Sequence, residues 1–381
     1  MKSLRTNPSE ERTRLARAVR SSARNPVEHF RAIGSVCEFL RDWGGTVERD
    51  GGRGDERDWV ELALSAAPDP GSRLEALRLA HNYVQCHREG VACDGETRGL
   101  GWIIGRQLVC AETGPERKEA LYAALRYLDE DARHVIALPD NPEAKTADLH
   151  AFRYATSTSD SERYDAAADA ARALLVEGGT APLEGRELDA LGWLGVQCRV
   201  ATTRRERLMA ATAAAAGCER TGGVVADERG VPRGHAYWLG RRYELSDDPH
   251  ARSAALRVIL AQIKRLGSVD CDGMPRGERF WVGRAREAAC GPGERIRTTR
   301  AIIDYLIENG GTIEAEGRSL DLTGWLEHLV EISTSRMQAK AAAAKVASYL
   351  QQTGGELRGH DSDWWYGQSR PALPDVPVLQ I

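Results

Sequence analysis

Arginine recurs beside glycine in several short segments of this chain. WLGRRYELS (238–246) and WVGRAREAA (281–289) place Gly240 and Gly283 two residues past a tryptophan, followed by Arg241, Arg242, Arg284 and Arg286. Gly105, Arg106 and Gln107 repeat the arrangement one step later, and Gln197 and Arg199 fall nearby after Trp193. Guanidinium groups offer paired N–H donors that match phosphate and carboxylate oxygens. A glycine inside a helix costs about 1 kcal/mol against alanine, so its recurrence implies that something passes close by. That neighbour is either the adjacent helix of a following unit or the backbone of a ligand. Four more arginines, Arg12, Arg17, Arg20 and Arg24, recur at helical spacing around Leu15, Ala18 and Val19. Residues 1–27 therefore read as a basic amphipathic arm, suited to phosphates, to an acidic protein surface, or to the acidic part of its own chain.

Other chemistry is not visible. The chain has no GxxxxGK(S/T) phosphate loop, no HExxH, no GxSxG elbow and no GxGxxG between a strand and a helix. Its nine histidines do not cluster with cysteines or carboxylates at ligand spacing, and its eight cysteines contain no CxxC pair. The expectation is a protein without catalytic residues, metal or cofactor.

The elements that carry these arginines repeat. Trp59, Trp102, Trp193, Trp238, Trp281, Trp325 and Trp365 are separated by 43, 91, 45, 43, 44 and 40 residues, and the widest gap holds one unit that lacks its tryptophan. A glycine-bearing helix stop and a second glycine turn precede each, as in REGVACDG (88–95), LGSVDCDG (266–273) and NGGTIEAEG (309–317). Apolar residues before each stop follow helical period, for example Leu74, Leu77, Ala80 and Tyr83. Each unit reads helix, hairpin-like loop, shorter helix. The fold class expected is mainly α: an extended α-solenoid of about eight units of about 44 residues, because such short helices bury their apolar faces only by stacking.

The units span approximately 28–70, 71–115, 116–160, 161–203, 204–249, 250–293, 294–335 and 336–373, with a tail at 374–381. The third departs most: its loop, HVIALPDNPEAKTAD, is longer, and Leu149, His150 and Phe152 stand where others carry Trp. Either the array bends there or a functional loop protrudes. The seven tryptophans are best read as packing anchors between units, although aromatic rings also stack bases.

Composition narrows the class. The 381 residues are 42% hydrophobic, 28% charged and 6% aromatic, with formal net charge −4. No stretch suggests a signal peptide or a membrane span, so a cytoplasmic location is expected. The charge is uneven: residues 1–27 carry seven basic and two acidic groups, residues 204–293 carry 16 and 11, and residues 28–203 are strongly acidic.

Three runs, RGLGWIIGRQ (98–107) with GPERKEAL (114–121), ELDALGWLGVQCR (187–199) with RRERLMA (204–210), and RGERFWVGRAREA (276–288) with GPGERIRTTR (291–300), resemble the tandem helicase-associated domain. The Gly-x-Trp order of that family is matched loosely at Leu100-Gly101-Trp102 and at Leu191-Gly192-Trp193, its Gln-Arg pair is altered, its closing motif is absent, and the period here is shorter. The resemblance implies a non-enzymatic helical module that contacts nucleic acid. YLIENGGTIEAEG (305–317) is similar to the end of an ankyrin helix and its hairpin, without the Thr-Pro-Leu-His that marks that repeat. Together these features point to a tandem-repeat binding protein with nucleic acid as its partner. The alternative is a protein-interaction scaffold, including one that associates with itself.

Overall fold

The structure, a computed structural model, describes residues 7–49, 51–131 and 133–369. Residues 1–6 of the basic arm and the tail 374–381 lie outside them. Among the described residues the fold is mainly helical, with 17 helices and six short antiparallel hairpins. In order these are α1 (Pro8–Ser22), α2 (Pro26–Trp43), β1 (Val47–Arg49), β2 (Gly52–Gly54), α3 (Glu56–Ala66), α4 (Pro70–His87), β3 (Val91–Cys93), β4 (Glu96–Arg98), α5 (Leu100–Cys110), α6 (Gly114–Glu130), α7 (Thr146–Thr156) and α8 (Asp160–Glu177). Then come β5 (Ala181–Leu183), β6 (Arg186–Leu188), α9 (Ala190–Val200), α10 (Arg204–Thr221), β7 (Val225–Ala226), β8 (Pro232–Arg233), α11 (His235–Leu245), α12 (Pro249–Leu266), β9 (Val269–Cys271), β10 (Met274–Arg276) and α13 (Glu278–Glu287). The chain finishes with α14 (Pro292–Asn309), β11 (Ile313–Ala315), β12 (Arg318–Leu320), α15 (Leu322–Ile332), α16 (Arg336–Thr353) and α17 (Ser362–Ser369). Contacts divide it into two units, Met1–Ser157 with Asp169–Leu188, and Thr158–Ala168 with Asp189–Ile381.

Local chemistry sets the boundaries. Long helices begin at capping boxes, Thr113 with Glu116, Thr203 with Glu206 and Ser335 with Gln338, or at an Asp cap before proline, as at Asp69-Pro70. The hairpin between β3 and β4 turns through Asp94 (φ 53°) and Gly95 (φ 81°). Two successive positive φ values define the type I′ turn that matches strand twist, and residues 184–185, 272–273 and 316–317 repeat it. Repeat 3 keeps only the bridge Ile136↔Ala144, and repeat 8 only Leu357↔His360.

The fourth residue of every short helix is the packing anchor. Trp59, Trp193, Trp238, Trp281, Trp325 and Trp365 fill it, with Leu149 in α7, and all are buried. In α5 the slot belongs to Ile103, fully buried, and not to Trp102, which lies one residue earlier and is half-exposed. The spacing of 43 residues from Trp59 to Trp102 is therefore one short of the structural period. Two of the anchors also tie down their hairpins: Trp281 Nε1 donates to the Arg276 carbonyl (3.2 Å) and Trp365 Nε1 to that of Leu357 (3.3 Å).

The sixth residue explains the recurring glycine. A Cβ on Gly240 would collide with the Asp270 carbonyl of β9, one on Gly283 with the Glu314 carbonyl of β11, and one on Gly105 with the Ala137 carbonyl. At Gly195 the approach is looser, an added Cβ meeting Ala226 of β7 at 3.3–3.5 Å without collision. The body that passes close is thus the first strand of the next repeat, neither a helix nor a ligand. The segment 135–137, with Ile136 fully buried, takes this place in repeat 3, so its long loop is a lengthened return from an ordinary strand position.

α1 is not a free arm. It packs on α2 and β1, burying Leu15, Ala16 and Val19, as α3 packs on α4 and β3. Arg12 donates to the Gly44 carbonyl (3.0 Å) and Arg20 pairs with Glu48 (3.0 Å).

Gly240→Ala exchanges a poor helix former for the best one, yet the strand contact outweighs propensity. Urea unfolding is expected to show a loss of about 1–3 kcal/mol. Gly34→Ala in α2, where nothing lies within 4 Å of the added carbon, is expected to gain up to about 1 kcal/mol.

Candidate interaction surface

Half of the arginines singled out by type and spacing are committed within the chain. Besides Arg12 and Arg20, Arg241 pairs with Glu228 and Glu244 (both 3.1 Å), and Arg284 pairs with Glu287 (2.5 Å). Arg286 is 1% exposed and cannot reach an external phosphate. Its Nε donates to Thr299 Oγ1 (3.1 Å), one terminal nitrogen to Glu316 (2.8 Å) and the other to His328 Nε2 (3.0 Å). Thr299 and His328 lie 13 and 42 residues away in the chain, so this network is invisible to local pattern. Arg17, Arg24 and Arg199 are exposed and Arg106 and Arg242 half-buried, none of them ion-paired among the described residues.

A second use of arginine was missed. The guanidiniums of Arg98 and Arg106 lie 5.1 and 5.3 Å from the Trp102 ring, those of Arg276 and Arg284 4.9 and 5.0 Å from the Phe280 ring, and that of Arg233 4.6 Å from the Tyr237 ring. All three sites follow one string, RGLGWIIGR (98–106), RGHAYWLGR (233–241) and RGERFWVGR (276–284). Here the helix begins at Gly99, Gly234 or Gly277 with no side-chain cap, whereas Asp189 and Asp321 cap their helices by accepting from Gly192 and Gly324 (2.8 and 2.9 Å). Glycine at the N-cap costs only a few tenths of a kcal/mol against Ser or Asp, and the cation–π contacts beside it are worth about 0.5–1 kcal/mol each at partly exposed sites. The nine-residue repeat was the available signal.

The open surface runs between long helices. Arg78, His81, Asn82, Gln85, Gln107, Glu119, Tyr122 and Arg126 line a groove of about 670 Å³ between α4 and α6. A neighbouring hollow of about 710 Å³ shares His81, Gln85 and Arg126 with it. Arg78 bridges the groove to Glu119 (2.6 Å), and His81 Nδ1 donates to the buried Gln107 Oε1 (3.3 Å). Burial holds the His81 pKa below its ordinary value. A smaller hollow of about 230 Å³ lies between α12 and α14, where Ser253 donates to Glu294 (2.6 Å). The grooves mix both charge signs with amide and hydroxyl groups, which suits a polypeptide partner better than a polyanion.

Glu244, Cys271 and Asp272 bring ligand atoms within 4.8 Å of one another. Glu244 already accepts from the Asp272 amide (2.7 Å) and from Arg241, and burial pushes the Cys271 thiol up to about 12. Burial does the same to Cys37 and Cys198, so these thiols are packed side chains and poor nucleophiles. No helix among the described residues is long and apolar enough to cross a membrane.

A scan against protein-family models finds no match, and no curated protein is detectably similar in sequence.

Burial also lowers the pKa of His150 and His235. The folded state prefers all three histidines neutral, so their contribution is complete above about pH 6.5 and is lost as pH falls and the unfolded chain takes up protons first. Urea midpoints are expected to drop between pH 7.5 and 5.5, and His81→Gln to make that slope shallower.

Proposed function

We infer that the chain is a non-catalytic helical-repeat scaffold whose units continue as one α-solenoid and whose grooves between long helices hold a protein partner. The observation that carries this reading is the α4/α6 groove, where Arg78, Arg126 and Glu119 alternate with Asn82, Gln85 and Gln107. Such a lining offers donors and acceptors to a peptide backbone and its side chains without an uncompensated basic stripe. Internal ion pairing of Arg20, Arg241, Arg284 and Arg286 weighs in the same direction. Eight cysteines without a disulfide fit a reducing compartment.

Nucleic acid is the second reading, favoured by the exposed Arg17 of α1, Arg24 in the turn after it, and Arg199. Two assays separate the readings. Affinity capture followed by quantitative mass spectrometry is expected to yield a partner that an Arg78→Glu/Arg126→Glu variant of unchanged circular dichroism loses at least tenfold. A gel-shift salt titration on a 30-mer duplex and its RNA counterpart is expected to show no specific shift. Binding that weakens by about 0.9 log units per phosphate contact per decade of salt, and that Arg17→Ala/Arg24→Ala reduces, supports nucleic acid and overturns the protein-partner reading.

A further inference from the structure

The hollow between α12 and α14 takes the same place in its repeat as the groove between α4 and α6, but its lining is rebuilt. The ninth residues of α4 and α12 are Arg78 and Arg257, and the third residues of α6 and α14 are Glu116 and Glu294. All four line their respective cavities. Three other lining positions change. The twelfth residue of the first long helix is His81 in α4 and Leu260 in α12, and the eighth of the short helix is Gln107 in α5 and Ala285 in α13. The sixth of the second long helix is Glu119 in α6 and Arg297 in α14.

Each change alters what the cavity can hold. His81 and Gln107 hydrogen-bond to each other (3.3 Å), and Glu119 takes up the charge of Arg78 (2.6 Å). Leu260 and Ala285 remove the polar pair, and with the buried Leu256 and Val282 they make the lining apolar. Arg297 gives Arg257 a like charge where Arg78 has a counter-ion. Both arginines are exposed and neither is ion-paired among the described residues; Arg257 commits only its Nε, to the Ser253 carbonyl (3.4 Å). The acidic residue of the lining, Glu294, already accepts from the Ser253 hydroxyl (2.6 Å) and the Cys290 amide (3.1 Å). Those two bonds, followed by the nearby Arg297 and Arg257, hold its carboxyl below the ordinary pKa. The result is an apolar hollow with two open guanidiniums beside it.

Size and charge select the occupant. The hollow measures about 230 Å³, below the roughly 300 Å³ at which pockets for free small molecules begin, so it suits one side chain of a larger ligand. An apolar lining offers nothing to a phosphate backbone, while unpaired guanidiniums match a carboxylate with paired N–H donors. We propose that this hollow anchors a polypeptide partner through adjacent leucine and carboxylate side chains, the leucine entering between Leu256, Leu260 and Val282 and the carboxylate pairing with Arg257 and Arg297. The proposal deepens the protein-partner reading of the grooves and rests on it.

Methyl NMR of the full chain, following Leu256, Leu260 and Val282, tests this with the blocked peptide acetyl-Gly-Leu-Glu-Gly-amide. Saturable shifts of these methyls are expected. The Leu-Gln peptide is expected to bind about fivefold more weakly, as for one exposed charge pair, and the Ala-Glu peptide at least about tenfold more weakly. Arg297→Glu restores the pairing seen between Arg78 and Glu119 and is expected to abolish the preference for Leu-Glu over Leu-Gln without lowering Leu-Gln affinity. Ala285→Gln, which places in α13 the residue found at this position of α5, is expected to abolish binding of both. Absence of saturable shifts overturns the proposal, as does equal affinity for the Leu-Glu and Leu-Gln peptides or a preference that survives in Arg297→Glu. Stronger shifts from a 30-mer duplex than from the peptide, or shifts that follow protein concentration alone, overturn it in favour of a polyanion or a second copy. Failure here leaves the capture assay on Arg78 and Arg126 untouched, and failure of that assay leaves these methyl shifts unchanged, so the two readings fall separately.

Discussion

The contact on which the rest depends is the passage of a strand backbone across the sixth residue of the preceding short helix. It leaves no room even for a Cβ where the approach is closest, at Gly105, Gly240 and Gly283, and it sets the distance at which the anchor two residues earlier can fill the seam. In repeat 1 the sixth residue is Glu61, and the contact is met in a different way: its carboxylate accepts from the Ala92 amide of β3 (2.7 Å). Glu244 and Glu287 do the same for the turn residues Asp272 and Glu316 (2.7 and 3.3 Å). These three seams therefore combine an apolar anchor, which supplies most of the stabilisation through burial, with a polar clasp that satisfies backbone groups a bare hairpin would leave unpaired.

This economy of charge bears on function. Exposed ion pairs are individually worth about 0–1 kcal/mol, so Arg241 and Arg284 contribute modestly to stability, but their acidic partners neutralise them as seen by an approaching polyanion. Arg286 is different in kind. Its guanidinium is buried against Thr299 while its ion-pair partner Glu316 is exposed and His328 half-buried, so losing a partner would leave a buried cation less well satisfied, and the network serves register between repeats 6 and 7. On the proposed scaffold reading, the surface offered to a partner is that of the long-helix grooves, where the Arg78–Glu119 pair lies beside Arg126, Asn82 and Gln85.

The order of elements was legible in the sequence because tryptophan, glycine turns and helical period recur at fixed offsets. Trp102 shows the limit of that signal: the nearest aromatic is not always the anchor, and a branched aliphatic such as Ile103 or Leu149 fills the slot equally well. The glycines were visible as an anomaly, but two explanations fitted until the strand was seen above them. The arginines were the least legible. Residue type states that a guanidinium is present, while its availability depends on partners such as Glu48 for Arg20 or Glu316 for Arg286, 28 and 30 residues away. The helical period around Leu15 and Val19 was read correctly, yet the destination of that apolar face, α2 and β1, is a tertiary fact.

On the proposed solenoid reading, stability is a nearest-neighbour property. Native-state hydrogen exchange resolved by residue in Trp281→Ala measures this directly. The expected result is accelerated exchange concentrated in α11 to α15 and the hairpins β9–β10 and β11–β12, with α2 to α5 keeping wild-type rates. A uniform acceleration across the whole chain, as a single cooperative core would give, would contradict it.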